Sequence, residues 1–439
     1  MRLFSTAALS LALAASAGLI APAVAVAKDP PAAAPASAAA GPKVMASANF
    51  AKAAKPVQGL LDASDFDGAL AQMPALEGLA TTPDDHYFIG NFYLRAGIGK
   101  KDDAMQRKGI EAMLASGKVP QTDQARFELA AGSLAVALHD SEGARAHFTE
   151  ALKAGAEPSE TEALIAESYF GPAYADIKGN DFSPAAKQLA IEGLPHLRRA
   201  IDAQVAKGTP PPLNWYERGL QTAAIAMSPD AVDWAKLTLA QTDKANDWRI
   251  ALRLLQENYK DMPRGTNIDL MRLMFDAKVL QNDYSYSEFL DALTKSGLPG
   301  EVKTVIDSGR ASGDITGDRF ADFYKVATEA IPKDKAGLAQ SATSAEAAAD
   351  GKPASRTADA YLSYGDNAKA AELYKLALQK GGVDTNEVNT RLGIALLRSG
   401  DTAGAKAAFG AVAHTGARGD IAELWAVWLD KKGKPASAA

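Results

Sequence analysis

A pattern of six small and apolar residues occurs twice near the C-terminus, and the second copy is displaced by 35 residues from the first. The two copies share a small residue, a large apolar residue, a glycine, an alanine, an aromatic residue and a smaller apolar residue, in the order Ala358, Tyr361, Gly365, Ala370, Tyr374 and Ala377, then Gly393, Leu396, Gly400, Ala405, Phe409 and Val412. In each copy a Gly-Asp pair separates two stretches with apolar spacings of three and four, which is typical of two helices joined by a turn. Because such a unit needs neighbours to bury its apolar face, its recurrence predicts an α-solenoid.

A third copy of the pattern lies in the N-terminal half of the chain. Its members again run from one helix through a turn to a second helix, as Ala131-Gly132, Ala135, His139-Asp140, Ala144, Phe148 and Ala151. The twelve-residue spacing from Gly132 to Ala144 is the same as that from Gly393 to Ala405. An earlier helical pair is expected on either side of a turn at Asp65 to Gly68. The repeat therefore extends towards both ends of the chain.

These segments resemble tetratricopeptide repeats. The family pattern places Leu-Gly and an aromatic residue on the first helix, and Leu392-Gly393 matches its first element. It places Ala, an aromatic and Ala on the second helix, matched by Ala370, Tyr374 and Ala377, and a proline near the end, matched by Pro158. The match covers about residues 125 to 158 and 354 to 417, and the opening tryptophan of the pattern is absent from every copy. The resemblance implies an all-α fold, a right-handed α-α superhelix of about ten helix-turn-helix pairs.

The N-terminus has the features of a secretory signal peptide over residues 1 to 27. Arg2 precedes an apolar stretch, and Ala25-Val26-Ala27 has the form of a cleavage site. A retained membrane anchor is the alternative, although the stretch is rich in Ala and Ser and is broken at Pro22. An export signal on a chain without cysteine, and so without a lipid-bearing Cys, predicts a periplasmic protein and, as a second choice, a secreted one.

The rest of the chain divides at changes in composition. We expect the following succession: a Pro/Ala-rich disordered spacer at 28 to 43, N-terminal repeats at 44 to 210, divergent helical repeats at 211 to 352, C-terminal repeats with a capping helix at 353 to 432, and a flexible tail at 433 to 439. Pro210 to Pro212 marks the break between the first two helical parts. Within these parts we expect helices over 159 to 178 and 183 to 207, the second starting at Ser183-Pro184, and another near 316 to 330. Residues 341 to 352 could end a helix or form a flexible hinge. The capping helix carries Trp425 and Trp428, for which binding of a partner is the alternative role.

Charge and composition exclude several classes of function. The net charge is −6, and it becomes −7 when cleavage removes Arg2, so nucleic acid and anionic lipid are not expected partners. The five histidines do not lie three or four residues apart, which is the spacing of common metal sites, and we interpret each as a solvated surface residue. Neither a phosphate-binding loop nor a nucleophile elbow is present. We therefore expect no cofactor, no metal and no catalysis.

The remaining hypothesis is a binding surface. The resemblance implies that the first helices of the repeats line a concave groove for a protein or peptide. Candidate lining residues, at positions not used for packing, are Asn91, Arg95, Glu128, Asn389 and Arg391. Trp215 and Tyr216 are either partner anchors or core residues.

The expected function follows from this surface. It is that of a non-catalytic scaffold or adaptor in cell-envelope assembly or export, and self-association is a further option. The alternative is a protein that binds a cell-wall or exported polysaccharide, which would require aromatic and amide side chains clustered in a groove.

Overall fold

The computed structural model describes residues 44 to 432 except Asn180 and Gln281. The predicted signal peptide at 1 to 27, the spacer at 28 to 43 and the tail at 433 to 439 lie outside the described residues. The chain divides into two compact units between Pro211 and Pro212, at the proline run where the sequence indicates a break. The divergent middle and the C-terminal repeats, which the sequence suggests as separate parts, belong to one unit.

The N-terminal unit is an array of helices in which each packs on the next along the chain. Its helices are α1 (Ala48–Asp62), α2 (Phe66–Glu77), α3 (Pro83–Lys100), α4 (Asp103–Ala115), α5 (Gln121–Ala137), α6 (Ser141–Lys153), α7 (Pro158–Ala175) and α8 (Pro184–Ala206). A short antiparallel pair of strands, β1 (Ile177–Lys178) and β2 (Asp181–Phe182), joins the last two. Contacts between successive helices are what a repeat array requires.

The C-terminal unit continues the helical pattern over one continuous apolar core. Its helices are α9 (Leu213–Ala226), α10 (Ala231–Leu239), α11 (Ala245–Asn258), α12 (Arg264–Asp276), α13 (Asp283–Lys295), α14 (Pro299–Ser312), α15 (Ala321–Ala347), α16 (Lys352–Ser363), α17 (Asn367–Lys380), α18 (Thr385–Arg398), α19 (Thr402–Gly410) and α20 (Gly416–Lys432). Here helices distant in sequence also touch: α12 packs on α18 and α20, and α10 packs on α20. The all-α class predicted from the repeats is confirmed.

The turn inside each regular hairpin has one recurrent form. An aspartate caps the second helix by accepting the backbone N–H of the residue three positions on, at Asp65, Asp102, Asp140, Asp366 and Asp401. The residue before each cap has a positive φ, as in Ser64, Lys101, His139, Gly365 and Gly400. Glycine takes this conformation without strain, and the aspartate satisfies an N–H that the helix leaves unpaired. The Gly-Asp and His-Asp pairs of the sequence therefore mark these turns, as predicted.

The small residue of the pattern packs on the aromatic residue of the second helix. A Cβ atom added to Gly132 would lie 2.4 Å from Cε1 of Phe148, and one added to Gly393 would lie 2.4 Å from Cε1 of Phe409. Phe148 is fully buried and Phe409 nearly so. The sixteen-residue spacing between the two members thus fixes how closely the two helices of a pair approach.

The irregular segments differ in part from expectation. Helices were expected over 159 to 178 and 183 to 207 with no strand between them, but a two-stranded turn separates α7 from α8. Ser183 caps α8 and Pro184 occupies its first turn, as predicted. The helix expected near 316 to 330 is longer in the structure, because α15 runs for 27 residues with Pro332 inside it. Residues 341 to 347 form the end of this helix, which is one of the two alternatives expected for 341 to 352, since the alanine-rich second half of α15 has high helix propensity.

Helix α20 packs on the last repeat. The indole of Trp425 is fully buried and stacks on Phe409, with ring centroids 6.0 Å apart. Trp428 packs edge-on against Trp248 of α11 at 5.1 Å. The ring of Trp425 belongs to the core, which excludes its presentation to a partner, whereas the ring of Trp428 is only partly buried. Among the described helices, none combines the length and hydrophobicity that a bilayer-spanning segment requires.

Replacing Gly132 by alanine should destabilise the N-terminal unit by about 1–3 kcal/mol, because the new methyl group overlaps the buried ring of Phe148. Far-UV circular dichroism during urea unfolding measures this loss. Gly171→Ala is the matched control: Gly171 is also helical, no other atom lies within 4 Å of the added Cβ, and the expected change is a gain of up to about 1 kcal/mol. Equal effects of the two substitutions would contradict the packing argument.

Candidate functional site

Helix α12 lies in the interior of the C-terminal unit. Its residues from Ile268 to Met274 are buried without interruption, so no face of this part of the helix meets solvent. A helix with a single apolar stripe would show one exposed face. The helix instead contains two buried charged residues, Asp269 and Arg272, and the surrounding helices supply their partners.

Asp269 is the centre of a buried ionic network. Its side chain is 0% exposed, and its carboxylate accepts hydrogen bonds from Arg272 Nη1 at 2.7 Å and Arg418 Nη1 at 2.8 Å. Arg391 Nε lies 3.3 Å from Oδ2 of the same carboxylate. The backbone carbonyl of Asp269 also accepts a hydrogen bond from the indole of Trp425. One residue of α12 therefore joins α18 and α20, which follow it by more than a hundred residues.

A second branch of the network runs from the other side of α12. Arg272 donates two hydrogen bonds to the carboxylate of Glu301 on α14, at 2.8 and 2.6 Å. Arg398 of α18 donates two to Asp276, at 3.2 and 3.1 Å, and approaches Glu301 at 3.5 Å. Paired, two-point contacts of this kind are the strong form of an arginine–carboxylate bond.

The network lowers the pKa of its buried carboxyl groups and so favours their ionised form. Burial alone would raise the pKa of Asp269, but Arg391, Arg418 and Arg272 outweigh it and hold the pKa below its ordinary value. Burial would likewise raise the pKa of Glu301, and Arg272 brings it below the usual range. Both carboxyl groups are therefore ionised at neutral pH although they are enclosed by protein.

Arg391 is a packed residue and not an open groove residue. In addition to Asp269 it contacts Asp359 on α16, with Nη1 2.9 Å from Oδ2, and Glu387 on its own helix. The first-helix face on which the sequence places it is covered by α12. Asn389 is half-buried on the same helix, and its side chain forms no hydrogen bond with the described residues. In this unit the chain's own helix α12 thus lies where a partner was expected.

The three candidates in the N-terminal unit are also engaged or enclosed. Asn91 is 2% exposed, and its Oδ1 atom has no partner among the described residues. Arg95 pairs with Asp62 of α1 at 2.6 Å and keeps partial exposure. Glu128 lies 2.7 Å from Nδ1 of His147 on α6. Asn91 and Glu128 therefore serve helix packing, and Arg95 keeps the most solvent contact of the three.

Trp215 and Tyr216 are core residues. Both are buried on α9, so the core interpretation is confirmed and partner anchoring at these positions is excluded.

Two of the five histidines differ from the solvated state expected of all five. His147 and His196 are partly buried between adjacent helices, and each lies against a carboxylate, Glu128 or Glu162 respectively. His86, His139 and His414 are exposed, as expected. Within the described residues, no group of three or more His, Asp or Glu side chains is arranged to hold a metal ion.

An open cleft lies between α15 and α16. Its volume is about 590 Å³, and it is lined by small, apolar and charged residues from these helices and from the start of α14: Gly297, Pro299, Ala330, Lys333, Asp334, Gly337, Leu338, Ser341, Arg356, Thr357 and Ala360. Helix α15 buries only Ala327, Ala342 and Ala345 of its 27 residues. A long helix that buries so little of its surface has faces available for a partner.

The charged residues of the cleft differ in whether they have a partner. Asp334 accepts a hydrogen bond from the hydroxyl of Tyr364 at 2.5 Å. Lys333 and Arg356, on opposite walls, are exposed, and neither forms an ion pair with any described residue. The cleft therefore presents two free cations above a floor of small side chains.

A smaller pocket of about 380 Å³ lies between α11 and the start of α13. Tyr284 at its rim is 64% exposed, and the guanidinium of Arg253 lies 5.7 Å from its ring. Gln256 in its wall donates to Asn267 and Glu288. The pocket thus combines an exposed aromatic ring with arginine and amide groups.

Neither the cleft nor the pocket was among the sequence-based candidates. One signal for the cleft was present in the sequence: Arg356 precedes Arg391 by 35 residues, the displacement of the repeat itself. Lys333 and Gly337 lie on α15, outside the repeat pattern, so no periodicity marked them.

No protein-family model matches the sequence, and comparison with curated proteins gives no match. Among solved structures, the chain is similar to one described as Naa15/Naa10 bound to HypK-THB, with 13% identity and a TM-score of 0.26 over 88% of this chain. It spans 64% of the length of that matched chain. A second structure, the APC/C hetero-tetramer Cut9-Hcn1, matches with 13% identity and a TM-score of 0.17, over 88% of this chain and 80% of that one.

Replacing Asp269 by asparagine should destabilise the C-terminal unit by about 3–5 kcal/mol, because arginines are left buried without their counter-charge. All five tryptophans belong to this unit, so tryptophan fluorescence during denaturant unfolding follows it alone. Asp430→Asn, which breaks an exposed pair with Lys406, is the control and should cost no more than about 1 kcal/mol.

The same variant should change the pH dependence of stability. The folded-state pKa values of Asp269 and Glu301 lie below their ordinary values of 3.8 and 4.5, so their contribution is complete above those values and is lost as pH falls through the folded ones. Below about pH 4 the unchanged protein should therefore lose stability more steeply than Asp269→Asn. Parallel curves for the two proteins would show that Asp269 is not a stabilising charge.

Proposed function

We propose that this chain is a non-catalytic scaffold or adaptor that binds another protein through the cleft between α15 and α16. The observation that carries the proposal is a 27-residue helix with three buried residues, which forms one wall of an open cleft with two unpaired cations. Unused helix surface beside a preformed concave site is the usual form of a peptide-binding groove.

The proposed location is the periplasm. The features of an export signal at residues 1 to 27, together with the absence of cysteine from the whole chain, support it. A binding protein in that compartment would act in assembly of the cell envelope or in export. Secretion from the cell is the second possibility for its location.

A photo-cross-linking amino acid at Ser341 tests the proposed function. Ser341 lines the cleft and is exposed, so irradiation of cells that produce the full chain should give one discrete protein adduct. The same amino acid at Lys325, which lies on α15 outside the cleft lining, should give no adduct of that size. Purification and mass spectrometry identify the product. Equal labelling at both positions, or none at Ser341, would overturn the proposal.

A polysaccharide-binding function is the second candidate, and the pocket between α11 and α13 favours it. The exposed ring of Tyr284 offers an apolar face to a sugar. In the same wall Arg249 and Arg253 offer hydrogen-bond donors, and the amide oxygen of Gln256 offers an acceptor. This is the combination of aromatic and amide side chains that the alternative requires. The arginines favour an anionic polymer.

Sedimentation with purified cell-wall sacculi tests this candidate. The full chain should cosediment, and Tyr284→Ala should weaken the association about tenfold, because an exposed aromatic anchor is removed. Val326→Ala, which also shortens an exposed apolar side chain, is the control and should leave it unchanged. Cosedimentation that does not respond to Tyr284→Ala would remove this pocket as the site.

A further inference from the structure

Arg356 and Arg391 occupy equivalent positions in two successive repeats. They are separated by 35 residues, and each lies two residues before the small residue of the repeat pattern, Ala358 or Gly393. Both are on the first helix of a pair, α16 and α18 respectively. Because the repeats share their packing, both side chains extend on the side of the preceding helices: Arg391 towards Asp359 of α16, and Arg356 into the cleft beside α15.

A helix of the chain itself, α12, fills the space beside Arg391. The carboxylate of Asp269 on α12 lies against Arg391 of α18 and Arg418 of α20, and also pairs with Arg272 of its own helix. The approach is close because α12 carries a glycine there: a Cβ atom on Gly265 would lie 2.8 Å from Nη2 of Arg391. The chain thus contains one filled example, in which a helix presents a carboxylate to two cations of other helices, although Arg391 also pairs with Asp359 and Glu387.

The cleft beside Arg356 also contains a second cation, but no helix among the described residues fills it. Lys333 supplies the second cation from the facing wall, and no described residue forms an ion pair with either side chain. The one carboxylate nearby, Asp334, is bound by Tyr364. Gly337 and Ala360 are small residues that leave space in the cleft. The hydroxyls of Ser341 and Thr357 donate hydrogen bonds to backbone carbonyls of their own helices.

We propose that this cleft receives one helix of a partner protein, with an aspartate or glutamate of that helix placed between Arg356 and Lys333 as Asp269 is placed between Arg391 and Arg418. The inference rests on the proposed function and specifies the chemistry of the partner. An acidic residue within a helix is required, since the filled site binds a side-chain carboxylate and not a chain terminus. Complementary charge at such a contact selects the partner and its register.

Two matched probes test the proposal. Each is a fluorescein-labelled, alanine-based helical peptide of about sixteen residues with capped termini, and the two differ only in a central aspartate or asparagine. Fluorescence anisotropy measures their binding to the full chain. The aspartate peptide should bind about five- to tenfold more tightly than the asparagine peptide, because only the first pairs with the two cations.

Substitutions of cleft residues test where the aspartate peptide binds. Arg356→Gln and Lys333→Gln should each weaken binding of the aspartate peptide about fivefold and leave the asparagine peptide unchanged. Lys325→Gln, on the same helix outside the cleft, should affect neither peptide. Arg356→Glu should reverse the preference in favour of a peptide with a central lysine. Equal affinity for the two probes, or no effect of Arg356→Gln, would overturn the inference.

The cross-linked adduct at Ser341 separates this inference from the proposed function. If the aspartate peptide prevents formation of that adduct, both stand. If a protein adduct forms and the peptide does not displace it, the scaffold function stands and the acidic-helix partner is wrong. If neither adduct nor peptide binding is found, both fail. An adduct consisting of two copies of this chain would overturn the assignment of the cleft to a different protein.

Discussion

The enclosed carboxylate of Asp269 constrains the whole C-terminal unit. A charge without solvent must be matched by nearby cations, and here they come from Arg272 on its own helix, Arg391 on α18 and Arg418 on α20. The position of α12 is therefore tied to helices at the other end of the unit. Without α12, Arg391 and Arg418 would lose the carboxylate of Asp269, so α12 closes the inner face of the last repeats.

Closure of that face decides which surface is left for binding. In a simple repeat array, the equivalent positions of successive first helices would all line one groove. Here Arg391 contributes to the closed part and its equivalent Arg356 to the open cleft, because α12 reaches α18 but α15 stands beside α16. The same residue type therefore stabilises the fold in one repeat and remains available in the preceding one.

The sequence was informative where the structure is local and periodic. The caps at Asp366 and Asp401, the fit of Gly393 on Phe409 and the capping role of Trp425 each follow from spacings within about one repeat. The ionic network could not be predicted, because it joins Asp269 to residues 122 and 149 positions away. Neither segment carries a sequence pattern that indicates its partner. For that reason Arg391 was expected on an open face. For 341 to 352 the sequence left a helix end and a flexible hinge open, and the structure shows the helix end, because an alanine-rich sequence needs little anchoring by large apolar residues to be helical.

Helix α15 packs little against its neighbours, and this affects how the cleft would bind a partner. Because few of its residues are buried, its helical state depends largely on local propensity and on the packing of Ala327, Ala342 and Ala345. The wall of the cleft consequently exists before a partner arrives, and the hydrogen bond from Tyr364 to Asp334 ties its middle to α16. A preformed site loses little conformational entropy on binding, so modest contacts at two cations suffice for selective association. A wall that had to fold on binding would need a much larger apolar contact than this cleft, with Leu338 and Pro299 as its main apolar side chains, provides.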